Sequence, residues 1–116
     1  NTSLDNNHIE SLLKSLRAWN LRKCVLNFQN VPLSNDHFNS ILDALRYMSN
    51  LEKLSLNFQN CKINDEKIKM LERMIEKLSN LESLNLNISG NNLKKEEIVN
   101  LSKIMNNIST RELKWE

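Results

Sequence analysis

The fold is decided by the stretch LEKLSLNFQN at residues 51–60. A near copy, LRKCVLNFQN, lies thirty residues earlier at residues 21–30, and another, LESLNLNISG, lies thirty residues later at residues 81–90. Equal spacing between similar stretches indicates internal duplication, and a period of about 20–50 residues is typical of repeat proteins. We therefore interpret residues 21–110 as three consecutive units of thirty residues.

The apolar pattern changes period within each unit. Leu54, Leu56 and Phe58 alternate with polar residues, which predicts a strand with one buried face. Further along, apolar residues recur every three or four positions, which predicts a helix of about 14 residues with one buried stripe. That stripe comprises Phe38, Ile41, Leu45 and Met48, then Ile68, Leu71, Ile75 and Leu78, and finally Ile98, Leu101, Met105 and Ile108.

Polar segments mark the joints between these elements. Residues 34–36 and 64–65 suit helix N-caps, and only about two residues, 49–50 or 79–80, return the chain to the next strand. Repeating a strand, a helix and a short return predicts parallel strands with right-handed crossovers. Because one unit cannot bury its apolar side alone, the units must stack, and the predicted fold class is α/β.

Incomplete units are expected at both ends of the chain. Residues 1–20 carry the partial helical stripe Ile9, Leu12, Leu16 and Trp19. A one-residue shift near Arg111 places Leu113 and Trp115 in the roles of Leu84 and Leu86. We expect a single domain over residues 1–116, part of a longer protein, with units at about 1–20 (partial), 21–50, 51–80, 81–110 and 111–116 (partial).

These units resemble the leucine-rich repeat family in its ribonuclease-inhibitor-like form, with units of about 30 residues. The family pattern Leu-x-x-Leu-x-Leu-x-x-Asn/Cys-x-Leu is matched by Leu51, Leu54, Leu56, Phe58, Cys61 and Ile63, with two residues inserted. Val31, Cys61 and Asn91 occupy the Asn/Cys position. The resemblance implies a right-handed β-α solenoid with parallel strands on its concave face and helices on its convex face. It also implies protein binding rather than a reaction.

Composition excludes several classes of protein. The 116 residues are 40% apolar and 26% charged, and 16 basic against 14 acidic residues give a net charge of +2. The mean hydropathy is −0.52. No apolar run approaches the roughly 18 residues of a membrane span, and the weak charge does not favour general nucleic-acid binding.

The outward strand positions form rows across the units, and these rows are the candidate binding surface. Its residues are Lys23, Val25, Asn27, Gln29, Lys53, Ser55, Asn57, Gln59, Asn85 and Asn87, flanked by Ser83 and Ser89. One interpretation is a hydrogen-bonding surface that docks a protein partner. The other is structural, because strands about 4.8 Å apart let amides pair with one another across the rows.

The sequence offers no convincing catalytic or metal site. Cys24 and Cys61 are interpreted as reduced core thiols at opposite ends of the strand, which favours a reducing compartment. His8 and His37 occupy equivalent slots, with Lys67 and Glu97 in later units, and this slot is expected to face solvent. With one glycine in the chain, a phosphate-binding Gly-rich loop is excluded. We expect no enzyme, cofactor or metal.

The predicted function is a non-enzymatic protein-interaction or scaffold module within a larger protein or assembly. The expected partners are proteins, not a small-molecule substrate or a membrane. An RNA- or nucleoprotein-binding subunit that uses the Lys and Asn rows is the alternative. We expect a cytoplasmic protein, with association to the cytoskeleton or another large assembly, since its Asn-rich, Gly-poor composition is typical of AT-rich protist genomes.

Overall fold

Strands and helices alternate in the computed structural model, which describes residues 22–115. In order they are β1 (Lys23–Asn27), α1 (Asn35–Arg46), β2 (Lys53–Asn57), α2 (Asp65–Lys77), β3 (Ser83–Asn87), α3 (Lys95–Met105) and β4 (Thr110–Lys114). The helices have 12, 13 and 11 residues. They are shorter than predicted, because each ends before the last apolar residue of its predicted stripe. The partial unit predicted in residues 1–20 lies outside the described residues.

The four strands form one parallel sheet in the order β1-β2-β3-β4. Leu26 pairs with Leu56 and Leu56 with Leu86, so the first three strands are offset by one thirty-residue unit each. The predicted α/β class with parallel strands is therefore confirmed. Apolar residues from strands and helices form one core cluster between the two layers.

The last strand does not follow the predicted register. Leu113 pairs with Leu86, and Arg111 pairs with Leu84, so Leu113 has the role that the sequence assigned to Trp115. The prediction was wrong because β4 begins two residues after Ile108, whereas β3 begins five residues after Leu78. Leu113 is half-buried, but Trp115, which was expected to face inward, is 42% exposed.

The core follows the predicted apolar positions. All twelve residues of the three helical stripes are buried, and so are the inward strand residues Leu54, Leu56 and Leu84. Phe28 and Phe58 stack across neighbouring units with ring centroids 5.6 Å apart, and the Phe38 ring lies 5.1 Å from that of Phe58. Adjacent units therefore share their core.

Side chains cap the first two helices as predicted. The N–H of His37 donates to Ser34 Oγ at 3.2 Å, and the N–H of Lys67 donates to Asn64 Oδ1 at 2.9 Å. These bonds satisfy backbone donors that have no partner within a helix. Helix α3 begins after Lys94, which makes no side-chain cap.

Three residues after the end of β1, β2 and β3, the turn contains a residue with a left-handed backbone. Asn30, Asn60 and Gly90 occupy this position with φ values of 66°, 54° and 74°. Asparagine and glycine are the residues that adopt this conformation most readily. Asn60 Nδ2 also donates to Asn30 Oδ1 at 3.0 Å, so the turns of neighbouring units are joined by their side chains.

The Asn/Cys position links the second and third full units to the units before them. The buried Cys61 thiol donates from Sγ to the carbonyl of Phe28 at 2.8 Å. Thirty residues later, Asn91 Nδ2 donates to the equivalent carbonyl, that of Phe58, at 2.9 Å. The polar side chain at this position therefore holds the strand end of the preceding unit, whereas Val31 has no polar atom to do so.

Candidate functional site

The ten predicted candidates lie together on the side of the sheet away from the helices. We call them the strand-face patch: Lys23, Val25, Asn27, Gln29, Lys53, Ser55, Asn57, Gln59, Asn85 and Asn87. They alternate along the strands with buried residues, and they are exposed or half-buried. The strand pairing places them in the predicted rows, of which Asn27, Asn57 and Asn87 form one.

The asparagine row has a structural role that neither interpretation of the sequence anticipated. Asn27 Oδ1 accepts from the N–H of Gln29 at 2.9 Å, and Asn57 Oδ1 accepts from Gln59 at the same distance. Asn87 repeats the arrangement with Ser89 at 3.0 Å. Each asparagine thus forms an Asx turn that ends its own strand.

Pairing of amides across the rows, the structural interpretation, is limited to one contact among the described residues. Asn87 Nδ2 donates to Gln59 Oε1 at 3.5 Å. The side chains of Asn27 and Asn57 direct no amide to a neighbouring strand in this part of the chain. Their oxygens are occupied within their own units, and their Nδ2 groups are left to bind solvent or a partner.

Positive charge on the patch is concentrated on β1 and β2. Lys23 and Lys53 stand directly opposite each other and are exposed, and neither makes an ion pair within residues 22–115. Like charges opposite each other on neighbouring strands are unfavourable. Val25, on the same face, is 63% exposed. This half of the patch therefore presents two cations and an exposed apolar side chain.

Strand β4 adds to this face residues that were not predicted from the sequence. In the observed register Glu112 pairs with Asn85, and Lys114 pairs with Asn87. Glu112 and Lys114 are both exposed. Lys114 Nζ lies 3.7 Å from Glu112 Oε1. These residues were missed because the connection after Ile108 is shorter than the one after Leu78. No repeated residue in the sequence indicates this shortening.

The equivalent position held by His37, Lys67 and Glu97 was expected to face solvent. The structure shows that it is buried or half-buried. Lys67 is only 5% exposed, and the other two residues are half-buried. The Lys67 amine donates to the carbonyl of Lys62 at 3.0 Å, which compensates part of the cost of burial. Burial lowers the pKa of Lys67, while the charge of Glu66 opposes this shift. His8 lies outside the described residues.

Chemistry at the cysteines is disfavoured by their surroundings. Cys24 and Cys61 are free and buried, as predicted for core thiols. Burial raises the pKa of both thiols, which opposes formation of the reactive thiolate. Within residues 22–115, no three His, Cys, Asp or Glu side chains lie close enough together to hold a metal ion.

None of the helices in residues 22–115 is both long and apolar enough to cross a membrane. A scan against protein-family models and a search of curated proteins return no match for this chain.

Proposed function

We propose that this chain is a stretch of leucine-rich repeat solenoid that binds other proteins through the strand-face patch. The observation that carries the proposal is the patch itself, in which two lysines without an ion pair in residues 22–115, an exposed valine and several amides share one sheet face. Such a surface suits a polar partner with complementary charge.

The solenoid assignment rests on repetition of contacts as well as of sequence. Cys61 and Asn91 bond equivalent carbonyls of the preceding units, at Phe28 and Phe58. Strand pairing advances by thirty residues from β1 to β2 and again from β2 to β3. These regularities support a stack that grows by equal steps, with the strand face as its concave surface.

The experiment compares two matched triple variants as baits for chemical crosslinking followed by quantitative affinity purification, so that weakly bound partners are retained. One replaces Lys53, Asn57 and Gln59 by Ala on the strand face. The control replaces Lys69, Arg73 and Lys103 by Ala, all exposed on helices α2 and α3. The proposal requires a protein that the wild type and the control retain, that the strand-face variant loses, and that binds the purified chain directly.

The RNA-binding alternative is tested by the salt dependence of the direct interaction. Phosphate contacts release counterions, so affinity for RNA falls steeply with salt concentration, with a log–log slope of about −0.7 for each phosphate on a single strand. A protein partner held by amides and two lysines is expected to show a shallow slope. Retention of RNA alone, with a steep slope, would replace the protein-binding proposal by the alternative.

A further inference from the structure

Strand β4 lies at an edge of the sheet, and within residues 22–115 it pairs with β3 alone. The N–H of Thr110 donates to the carbonyl of Glu82 at 3.0 Å, so Thr110 directs its backbone groups toward β3. Successive residues of a parallel strand bond to opposite sides, and the backbone groups of Arg111 and Leu113 therefore point away from β3. An edge of this kind can bind another strand.

The end of the stack beside β4 also exposes apolar side chains. Val99 on α3 and Trp115, directly after β4, are each 42% exposed, and Leu113 is half-buried. Val99 lies one turn before Ser102 on the same face of its helix. A groove of about 210 Å³ between α3 and β4 is lined by Ser102, Met105, Asn106, Arg111 and Leu113. Open backbone groups and apolar surface thus occur at the same place.

A further parallel unit is an unfavourable occupant of this edge. Cys24, Leu54 and Leu84 hold the first inward position of their strands and are buried. In β4 this position is held by Arg111, which is exposed and donates from its guanidinium to the carbonyl of Ile108 at 3.0 Å. A unit stacked on β4 in the same manner would remove this charge from water, which is costly without a carboxylate to pair with it.

A second copy of the chain can instead join the edge in the antiparallel direction. If the helices of both copies stay on the same side of the sheet, a two-fold axis passes through one residue of β4, which then lies opposite itself. An axis through Arg111, Glu112 or Lys114 places two like charges opposite each other, which is unfavourable. Among residues 111–114, only an axis through Leu113 avoids such a pair.

With the axis at Leu113, the remaining pairs are complementary. Glu112 lies opposite Lys114 of the second copy at two symmetric contacts, and within one chain these charges already lie 3.7 Å apart. Arg111 lies opposite Trp115, whose indole can enter the groove and stack on the guanidinium. The pairs formed by Leu113 and by Arg111 are hydrogen-bonded, because the open backbone groups belong to these residues. Charge, apolar contact and hydrogen bonding therefore agree on one register.

We propose that β4 is a self-association edge, through which two copies of the chain join their sheets antiparallel with a two-fold axis at Leu113. The contact uses the β4 edge of both copies, so association stops at the dimer. The joint does not require that the strand-face patch bind a partner, and it stands or falls separately from that function.

Sedimentation equilibrium of the full chain, from about 1 µM to about 1 mM, measures the stoichiometry. We expect a monomer–dimer equilibrium with a dissociation constant of about 10–100 µM, because one strand edge buries less than a standard interface of about 800 Å² on each partner. Hydrogen exchange at the amides of Arg111 and Leu113 should slow as the dimer fills. Exchange at Thr110, which is already bonded to β3, should change less.

Charge reversals test the register. Glu112→Lys or Lys114→Glu places like charges opposite each other at both symmetric contacts, and each should weaken dimerisation about tenfold. The double variant with both changes should regain wild-type affinity, and an equimolar mixture of the two single variants should form heterodimers preferentially. The matched controls are Glu76→Lys and Lys77→Glu, which are exposed on α2 and should change the affinity by less than about twofold.

Four results would each overturn the proposal. The first is a chain that stays monomeric up to about 1 mM, and the second is an equal effect of the β4 reversals and their controls. The third is a double variant no stronger than the single ones. The fourth is association that continues beyond the dimer, which would indicate head-to-tail pairing of β4 with β1. Thermal unfolding of each variant establishes that it folds, as expected for changes at exposed positions.

Discussion

Asn91 Oδ1 accepts a hydrogen bond from the backbone N–H of Cys61 at 2.9 Å. A side chain of one unit therefore satisfies a backbone donor of the unit before it. The same oxygen accepts from the N–H of Ile63 at 3.0 Å. The amide nitrogen donates to the carbonyls of Phe58 and Ile88 at 2.9 and 2.8 Å. Asparagine supplies both donors and acceptors here, whereas the thiol of Cys61 bonds to carbonyls alone.

Asn91→Ala should lower the free energy of unfolding by about 2–4 kcal/mol, because it leaves several backbone donors and acceptors without partners. The measurement is equilibrium unfolding in urea. Asn85→Ala is the control, since Asn85 is exposed on the strand face and its loss should change stability by less than about 0.5 kcal/mol. Equal losses for the two variants would contradict the bridging role of Asn91.

Leu56→Ala should cost about 2–5 kcal/mol, through lost burial and the cavity left behind. Leu56 is 1% exposed and pairs with Leu26 and Leu86 in the neighbouring strands. Ser55→Ala, on the opposite side of the same strand, should be nearly neutral. A loss below about half a kcal/mol for Leu56→Ala in thermal or urea unfolding would show that the inward register is wrong.

Gly90 is the one glycine of the chain, and its substitutions separate backbone strain from steric conflict. Its φ is +74°, but a Cβ there would meet its nearest neighbour, in Asn60, at an ordinary 3.7 Å. Gly90→Ala should therefore cost about 1–2 kcal/mol through the left-handed backbone alone. Gly90→Asn should cost less, because Asn30 and Asn60 hold the same conformation. Equal losses in thermal unfolding would refute this distinction.

Glu72→Gln should stabilise the protein at neutral pH, because it removes a charge that burial and the carboxylates of Glu97 and Glu76 disfavour. The pKa of Glu72 is raised in the folded state, so folding favours its protonated form. In the wild type this stabilising contribution is fully present below the unfolded pKa and is lost as pH rises through the folded pKa.

The advantage of Glu72→Gln should therefore shrink as pH falls below the folded pKa of Glu72. Urea unfolding of both proteins at neutral and acidic pH measures it, with Glu96→Gln, on an exposed carboxylate of α3, as the control. An advantage that does not change with pH would exclude the charge of Glu72 as its cause.

The strand-face patch should bind only weakly when residues 1–116 are used alone. Four strands at ~4.8 Å spacing and about five residues of ~3.3 Å make roughly 320 Å² in projection. A standard interface buries about 800 Å² on each partner. Binding measurements should give a dissociation constant weaker than about 1 µM, and a tighter one abolished by changing Lys53, Asn57 and Gln59 to Ala would contradict the size argument.

The layered fold could be predicted because duplication repeats the pattern that encodes it. Leu54 and Leu84 stand thirty residues apart in matching contexts, and so do the helical residues Ile68 and Ile98. A register error in one unit would have broken the match with the others. In the last partial unit only Leu113 and Trp115 were available for alignment, and the shortened return placed Leu113, not Trp115, opposite Leu86.

The chemistry of the surface was harder to predict, because the same residue suits opposite roles. An asparagine row is consistent with a binding surface and with amide pairing between strands, and neither interpretation anticipated that the N–H of Gln59 donates to Asn57 Oδ1. Burial of Lys67 depends on the carbonyl of Lys62, which lies outside the helix.

The turns that follow the strands also determine which units are interchangeable. Lys62 and Asn92 occupy equivalent positions with φ values of 59° and 56°, whereas Pro32 stands there in the first full unit. The proline ring fixes φ near −65°, so that turn follows a different path. A genetic crossover between residues 51–80 and 81–110 would preserve the backbone path and lengthen or shorten the array by one unit. A crossover that carried Pro32 into either later unit would place a residue with φ near −65° where Lys62 and Asn92 have positive φ, so we expect such a chimera to be less stable than one that exchanges the second and third units.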